Sequence, residues 1–451
     1  MIIILYVMDS LRPDFLSCYG YQKETSPHID ALAAEGVLFK NAFAQSTWTK
    51  PSGASLLTSA YPSVHGVLNH NDVLPVGIPV LPERLRKSGY ETLALSSIGY
   101  ISPDYGFGRG FDHFVQLYKE ESVTKKSRVL RANNTPIPTS EDINELLFPF
   151  LQDRRGKDAF VLVWSADTHS PYFHRDEAIA KFCFPSHEIF RTNGIARMRE
   201  EEGLNRFKLF YEDMIYYNDY HFGKLVDKLR ELNLFDQTFF ILTSDHGEAF
   251  GEHGFNGHSK EPYDELIRVP LIMKFPNSQH SRQFSSLVQH IDVTPTIMEC
   301  ARISGTDRWM QGKSVVPIVR DCKKANDFIM AEYQLNLRFP KYITLRTEEY
   351  KYMEIRGGKF TPHRSVFQML SPIVRFFFKE RMLFCMREDP GEKINIFKQE
   401  RAIAKRLHSY VSRILEENKE ISRELRREKK ERLEVDKDVA RQLQALGYFD
   451  D

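Results

Sequence analysis

The chain has 451 residues, 42% of them hydrophobic, and its 62 Lys and Arg nearly balance 61 Asp and Glu. That length and apolar content support a folded core and exclude a disordered chain. A formal net charge of +1 provides no global field, so the overall balance offers no argument for a nucleic-acid partner. Five scattered cysteines without a CxxC pair argue against a disulfide framework or a zinc knuckle, and a reducing compartment is the expectation.

The opening "MIIILYVMDS" has an apolar run too short for a membrane span, no positive leader and no small-residue cleavage site. It reads as a first buried strand, and the expected location is cytoplasmic. "SPHIDALAAEG" follows as a helix, and "STWTKPSGAS" over 46–55 reads as a strand end entering a helix whose first turn holds Pro51. "AFVLVWS" leads into "ADTHSPY". A long helix over "NRFKLFYEDMIYYNDYHFGKLVDKLRELN" then precedes "TFFILTS" and "DHGE". Short, continuous, β-branched runs suit strands buried on both faces. Their alternation with helices predicts an α/β fold over residues 1–320, a large mostly parallel or mixed sheet flanked by helices on both faces. Ligands of such sheets bind beyond the carboxyl ends of the strands, where Asp9, "ADTHSPY" and "DHGE" all fall.

Beyond residue 320 the pattern changes. Residues 321–398 hold shorter strand-like pieces and the turn-like "EDPGE", which predicts a small antiparallel sheet within a C-terminal α+β subdomain. Residues 399–451 read as a helical tail packing back on the catalytic domain, and "SRELRREKKERLEVDK" mixes both charge signs as a solvated face does. Within residues 363–384, aromatic and aliphatic side chains interleave with Arg364, Arg375, Lys379 and Arg381, which suits an interfacial helix in peripheral contact with a membrane. The alternative is a hydrophobic lid on the main domain, since Pro372 interrupts the helix.

Alone, Thr49 before Lys-Pro is a turn or cap residue. Beside a helix N-terminus, however, the dipole favours an anion, and a threonine ionised near neutral pH needs a metal or a base. Asp9, Asp245 and His246, each just past a strand, are candidates to hold one divalent ion beside the Thr49 oxygen. The mixed oxygen and nitrogen ligands favour manganese or zinc, with calcium as a further candidate. His169 and His258 could protonate a leaving group or clamp charged oxygens. His65 and His253 are expected to orient loops, and His70, with Asn69 or Asn71, to line the mouth of the site. Arg12 and Lys50 either bind substrate oxygens or serve the structure.

"MDSLRPDFLSCYGY", "STWTKPSGASLLTSAYPSVHGV", "DTHSPYF", "LTSDHGEAFGEHG", "YDELIRVPLIMKFP" and "VARQLQALGYF" together resemble the sulfatase family of the alkaline phosphatase superfamily, in the family's order over nearly the whole chain. The resemblance implies a metal ion bound by Asp9, Asp245, His246 and the nucleophile, with substrate-site histidines at His169 and His258. It also shows departures. The family's Cys-x-Pro-Ser-Arg, whose cysteine becomes formylglycine, is here Thr-Lys-Pro-Ser-Gly, so Thr49 replaces the cysteine and Gly53 the arginine. Ser10 stands where a second aspartate is usual. This pattern resembles relatives that handle phosphoesters, and a threonine ester must be cleaved by attack on its central atom. The expected activity is therefore hydrolysis of a phosphodiester or phosphonate monoester through a phosphothreonine, on a small-molecule, glycan or lipid ester. The alternatives are a sulfuric ester hydrolase, a phosphoglycerol or phosphoethanolamine transferase, and an inactive carbohydrate-binding relative.

Overall fold

Alternate residues of the opening strand face opposite ways, and both sets are buried. Ile3, Leu5 and Val7 enter one core, and Ile2, Ile4, Tyr6 and Met8 enter another. That is why the run is continuously apolar. The computed structural model describes residues 1–126, 131–132, 135–172, 179–182, 201–258, 261–277, 281–305, 307–334, 341–356, 381–425 and 436–447. Its main sheet contains β1 (Ile2–Met8), β2 (Val37–Phe43), β3 (Glu91–Ser96), β4 (His113–Gln116), β5 (Ala159–Ser165), β6 (Thr238–Thr243), β7 (Arg268–Val269), β8 (Leu271–Lys274) and β9 (Arg282–Gln289). Strands β6, β1, β5, β3 and β4 run parallel in that order. Beyond β6 the sheet turns mixed: β8 is antiparallel to both β6 and β2, and β9 is parallel to β2. Pro270, with no N–H to give, separates β7 from β8 along the same partner strand.

Helices cover both faces, as the alternation of elements predicts. Among them are α1 (Pro27–Glu35), α2 (Thr49–Thr58), α3 (Ser140–Gln152), α4 (Glu201–Glu231) and α5 (Val293–Cys300). The first, third and fourth pack on the Tyr6 face through residues such as Ile29, Leu147 and Phe210, while α2 and α5 pack on the Val7 face through Leu57 and Ile297. Asp219 of α4 accepts the His28 and Ile29 N–H groups at the start of α1, giving those orphan donors a partner. Among the described residues no helix is long and apolar enough to cross a membrane.

The second sheet is antiparallel throughout, with β10 (Ile329–Tyr333), β11 (Lys341–Arg346), β12 (Tyr350–Arg356) and β13 (Arg381–Cys385) in sequential order. Met330, Ile343 and Leu383 face α6 (Arg401–Leu425), whereas Tyr342, Met353 and Phe384 join the main core. The tail also contributes α7 (Lys437–Ala445), which seats Val439 and Leu443 in that same core. Of the segment expected to form an interfacial helix, residues 363–380 lie outside the described residues. Residues 381–384 belong to β13, where alternation and sheet pairing win over helix.

One buried ionic cluster ties the two sheets together. Lys351 Nζ, with no exposed side-chain surface, sits 2.8 Å from Asp264 and 2.7 Å from Glu392, and Arg346 Nε reaches Asp264 at 3.1 Å. Burial alone would raise the Asp264 carboxyl, but Arg346 and Lys351 override it and hold it below the usual range. Lys351→Met leaves two buried carboxylates short of a partner, and the expected loss is about 3–5 kcal/mol by denaturant unfolding. Arg441→Ala, which removes an exposed pair with Asp438, should lose less than about 1 kcal/mol. A Lys351→Met loss as small as that of the surface variant would show that the cluster is not what ties the sheets.

Candidate functional site

Because β1, β5 and β6 are parallel and in register, with Met8 beside Ser165 and Val7 beside Thr243, the residues that follow them emerge at one edge. Asp9 leaves β1, the Ala166–Ser170 stretch leaves β5, and Asp245 with His246 leaves β6. Thr49 meets them from the start of α2. It is the helix's first residue, with extended Trp48 as N-cap, one position further in than the sequence suggests. Asp9, Thr49, Asp245 and His246 are each 0% exposed, so any charge among them requires a partner inside the protein.

Thr49 Oγ1 lies 3.3 Å from Asp9 Oδ2 and 3.3 Å from His246 Nε2. His246 Nδ1 donates to the Gly247 carbonyl at 2.8 Å, which leaves Nε2 as the lone-pair atom facing Thr49. His246 Nε2 is also 3.4 Å from Asp245 Oδ2. Between the carboxylates sits Ser10, at φ 61°, in the left-handed region. Its N–H donates to Asp245 Oδ1 at 3.0 Å and its hydroxyl to Asp9 Oδ1 at 2.9 Å. Tyr211 and Thr168 hold this turn from outside, donating to the Ser10 and Asp9 carbonyls.

The electrostatics favour a cation. Burial raises Asp9, and the neighbouring Asp245 charge adds to the effect. Burial raises Asp245 to about 6 against the hydrogen bonds it receives. Burial also lowers His246 to about 3, with His258 reinforcing it, so the imidazole is neutral and able to ligate. Ligand atoms of Asp9, Asp245 and His246 all lie within 4.8 Å of one another, and buried Asp245 Oδ2 accepts no hydrogen bond. Two buried carboxylates, a correctly turned imidazole and an orphaned oxygen fit a divalent ion.

His169 and His258 also come to this edge. His258 lies 4.5 Å from His246 and 5.0 Å from His169 between ring centroids. His169 Nδ1 bonds the Ser170 carbonyl. His258 Nδ1 meets Glu248 Oε1 at 3.2 Å, while Tyr172 donates to the other Glu248 oxygen at 3.2 Å. Burial pushes Glu248 up to about 7 against the pull of the nearby histidines.

Arg12 and Lys50 turn inward and serve the structure. Arg12 holds Asp14, Glu252 and the Glu248 carbonyl, and Lys50 donates to the His70 and Asp72 carbonyls under the face of Tyr105. His65 bridges Ser55 and the Val67 N–H, and His253 stacks on Tyr263 between Glu265 and the Glu392 carbonyl, so both orient loops as expected. His70 sits between the Trp48 and Tyr100 rings.

Two neighbours of these residues escape sequence reasoning. Glu248 stands inside "DHGE" without a signal for its bond to His258. Trp164, near the end of β5, donates its indole N–H to Asp9 Oδ2 at 3.2 Å. The unusual glycine at position 53 was the available clue, because a missing arginine leaves space that another side chain must fill. A separate cavity of about 1140 Å³ lies where the two sheets meet, lined by Arg12, Phe250, Tyr263, Tyr342 and Phe384 among others. None of the six predicted site residues is among its described lining residues.

Comparison with known proteins identifies the family. The family model described as Sulfatase matches residues 2–303, and one described as N-sulphoglucosamine sulphohydrolase, C-terminal, matches 251–419. The chain is 24% identical to the uncharacterized sulfatase YidJ of Escherichia coli strain K12, covering 87% of this chain and 82% of that protein. It is 21% identical to an N-acetylglucosamine-6-O-sulfatase of Bacteroides thetaiotaomicron, covering 88% and 82%. Its fold is similar to the crystal structure of the phosphonate monoester hydrolase of Agrobacterium radiobacter, with a TM-score of 0.71, 19% identity, and 93% and 95% of the two chains covered. With a family model matched over well over half of its length and a sheet that delivers these groups to one edge, the protein belongs to the sulfatase family and is a hydrolase.

Proposed function

We propose that the protein hydrolyses phosphate esters, with a phosphodiester or phosphonate monoester as substrate and Thr49 as nucleophile. The observation that carries this reading is the Thr49 hydroxyl itself, buried at a helix N-terminus and 3.3 Å from both Asp9 and His246. A threonine has no aldehyde hydrate through which to shed sulfate, so its ester leaves only by attack on the central atom, a route suited to phosphorus.

In the first step Thr49 Oγ forms a bond to phosphorus as the bond to the leaving oxygen breaks. The hydroxyl proton has Asp9 Oδ2 as its carboxylate acceptor, and the leaving oxygen takes a proton from His169 or His258. Glu248, bonded to His258, holds that ring for the transfer. Water then attacks the phosphorus of the threonine ester, giving a proton to the imidazole that supplied one, and the Thr49 oxygen leaves with the proton held by Asp9. A phosphodiester thus yields a phosphate monoester, a phosphonate monoester yields a phosphonate, and the hydroxyl is restored. Asp9, Asp245 and His246 would hold the divalent ion, manganese or zinc by ligand type, which supplies Lewis-acid charge to favour the ionised threonine and steady the transferred oxygens. Four free cysteines among the described residues support a reducing, cytoplasmic setting.

Two measurements test the reading. Parallel assays of an aryl phosphodiester, phosphonate, phosphate and sulfate should show the phosphorus esters turned over faster, and Thr49→Ala should lower kcat by on the order of 10³-fold or more. Faster sulfate turnover, or a Thr49→Ala enzyme close to parent, would overturn it in favour of a sulfuric ester hydrolase or a metal-activated water. Separately, chelation should abolish turnover and added manganese or zinc restore it. Asp245→Ala should weaken metal binding in calorimetry by more than the roughly 10–100-fold typical of outer-sphere partners. Parent-like binding by Asp245→Ala would remove this carboxylate from the site.

A further inference from the structure

Gly53 stands where the family resemblance puts an arginine, and the space beside it is filled. A Cβ at Gly53 would lie 2.7 Å from Ile101 Cδ1, 3.0 Å from Trp164 Cη2 and 3.5 Å from Phe107 Cε1. An arginine stem cannot leave this backbone position without displacing that wall. Trp164, Ile101 and Phe107 are all fully buried, so the indole cannot swing out to water.

The packed indole is also aimed. In the parallel pairing of β1 with β5, Trp164 stands beside Val7, and a period of two puts Asp9 on the face of Val7. The indole Nε1 accordingly reaches Asp9 Oδ2 at 3.2 Å, while Ser10 Oγ donates to Asp9 Oδ1 at 2.9 Å. Each carboxylate oxygen therefore has a donor fixing its direction, and one of those donors is the end of a wedged, inflexible side chain. A neutral N–H differs from a guanidinium in its effect on the pair. It orients Asp9 without neutralising it, so the charge of the two carboxylates stays available to a cation.

We propose that Trp164 is a positioning residue of the metal centre, its indole N–H holding Asp9 in the orientation that lets it join Asp245 and His246 around a divalent ion. The same ring packs against Gly53, so a side chain at position 53 would crowd the indole at position 164. This inference rests on the reading of Asp9, Asp245 and His246 as metal ligands.

The test is isothermal calorimetry of the full-length chain, stripped by chelation and titrated with Mn²⁺, alongside thermal melts of the stripped proteins. Trp164→Phe keeps a ring but removes the N–H, and it should weaken Mn²⁺ binding by about 10–100-fold, as loss of an outer-sphere partner does. Ile101→Val trims the same wall without touching Asp9 and should stay within about twofold of parent. Equal Mn²⁺ affinity for parent and Trp164→Phe would reduce the tryptophan to packing and overturn the proposal. Should Trp164→Phe fail to fold, benzothienylalanine at position 164, which matches the indole's shape and lacks the N–H, gives the same comparison. A parent chain that binds no Mn²⁺, or Asp9→Asn binding as parent does, would instead overturn the underlying metal-ligand reading.

Discussion

Two carboxylates, Asp9 and Asp245, are buried without exposure beside one another, and the surrounding fold is organised around that arrangement. Isolated burial of such charges is strongly unfavourable. Here backbone donors from Ser10 and His246, the Ser10 hydroxyl, the Trp164 indole and the start of α2 are all turned toward them. Those donors offset part of the cost of burying the carboxylates, while Asp245 Oδ2 accepts none and lies 3.4 Å from His246 Nε2.

The sheet makes this arrangement repeatable from molecule to molecule. Parallel register brings three separate strand ends to one edge, and full burial of β1 on both faces leaves that register no freedom to slip. The β6 end has further support: Gly247 N–H donates to the Leu266 carbonyl, and Asp264 nearby is clamped by Lys351 and Arg346 of the second sheet. The C-terminal sheet thereby reaches the loop that carries His246 without entering the site. Around this edge, imidazoles from two loops complete the polar lining, with Glu248 and Tyr172 setting the direction of one of them.

Much of this arrangement is legible in the sequence because the polar residues directly follow the apolar runs that form its strands. Apolar β-branched runs ending in Asp9, "ADTHSPY" and Asp245-His246 announce central strands whose ends meet at one edge, and Pro51 announces the helix behind Thr49. Trp164 and Glu248 were not legible in the same way. Their roles depend on which distant side chain they meet: a tryptophan inside an apolar run looks like core, and it is core, with one polar atom aimed at Asp9. Arg12 and Lys50 present the converse case. Their charge beside key motifs suggests substrate contact, whereas the fold directs both toward internal carbonyls and carboxylates. Residues 381–384 also reversed their reading, because basic and aromatic interleaving is shared by interfacial helices and strands and only sheet pairing separates them.

The central claim is a covalent cycle through Thr49, and the stereochemical course at phosphorus tests it most directly. A phosphorothioate diester of known configuration, turned over in heavy-oxygen water, should give product with retained configuration, since two successive in-line displacements invert twice. Inverted product, the signature of direct attack by water, would contradict the account, as would the absence of any phosphorus ester turnover.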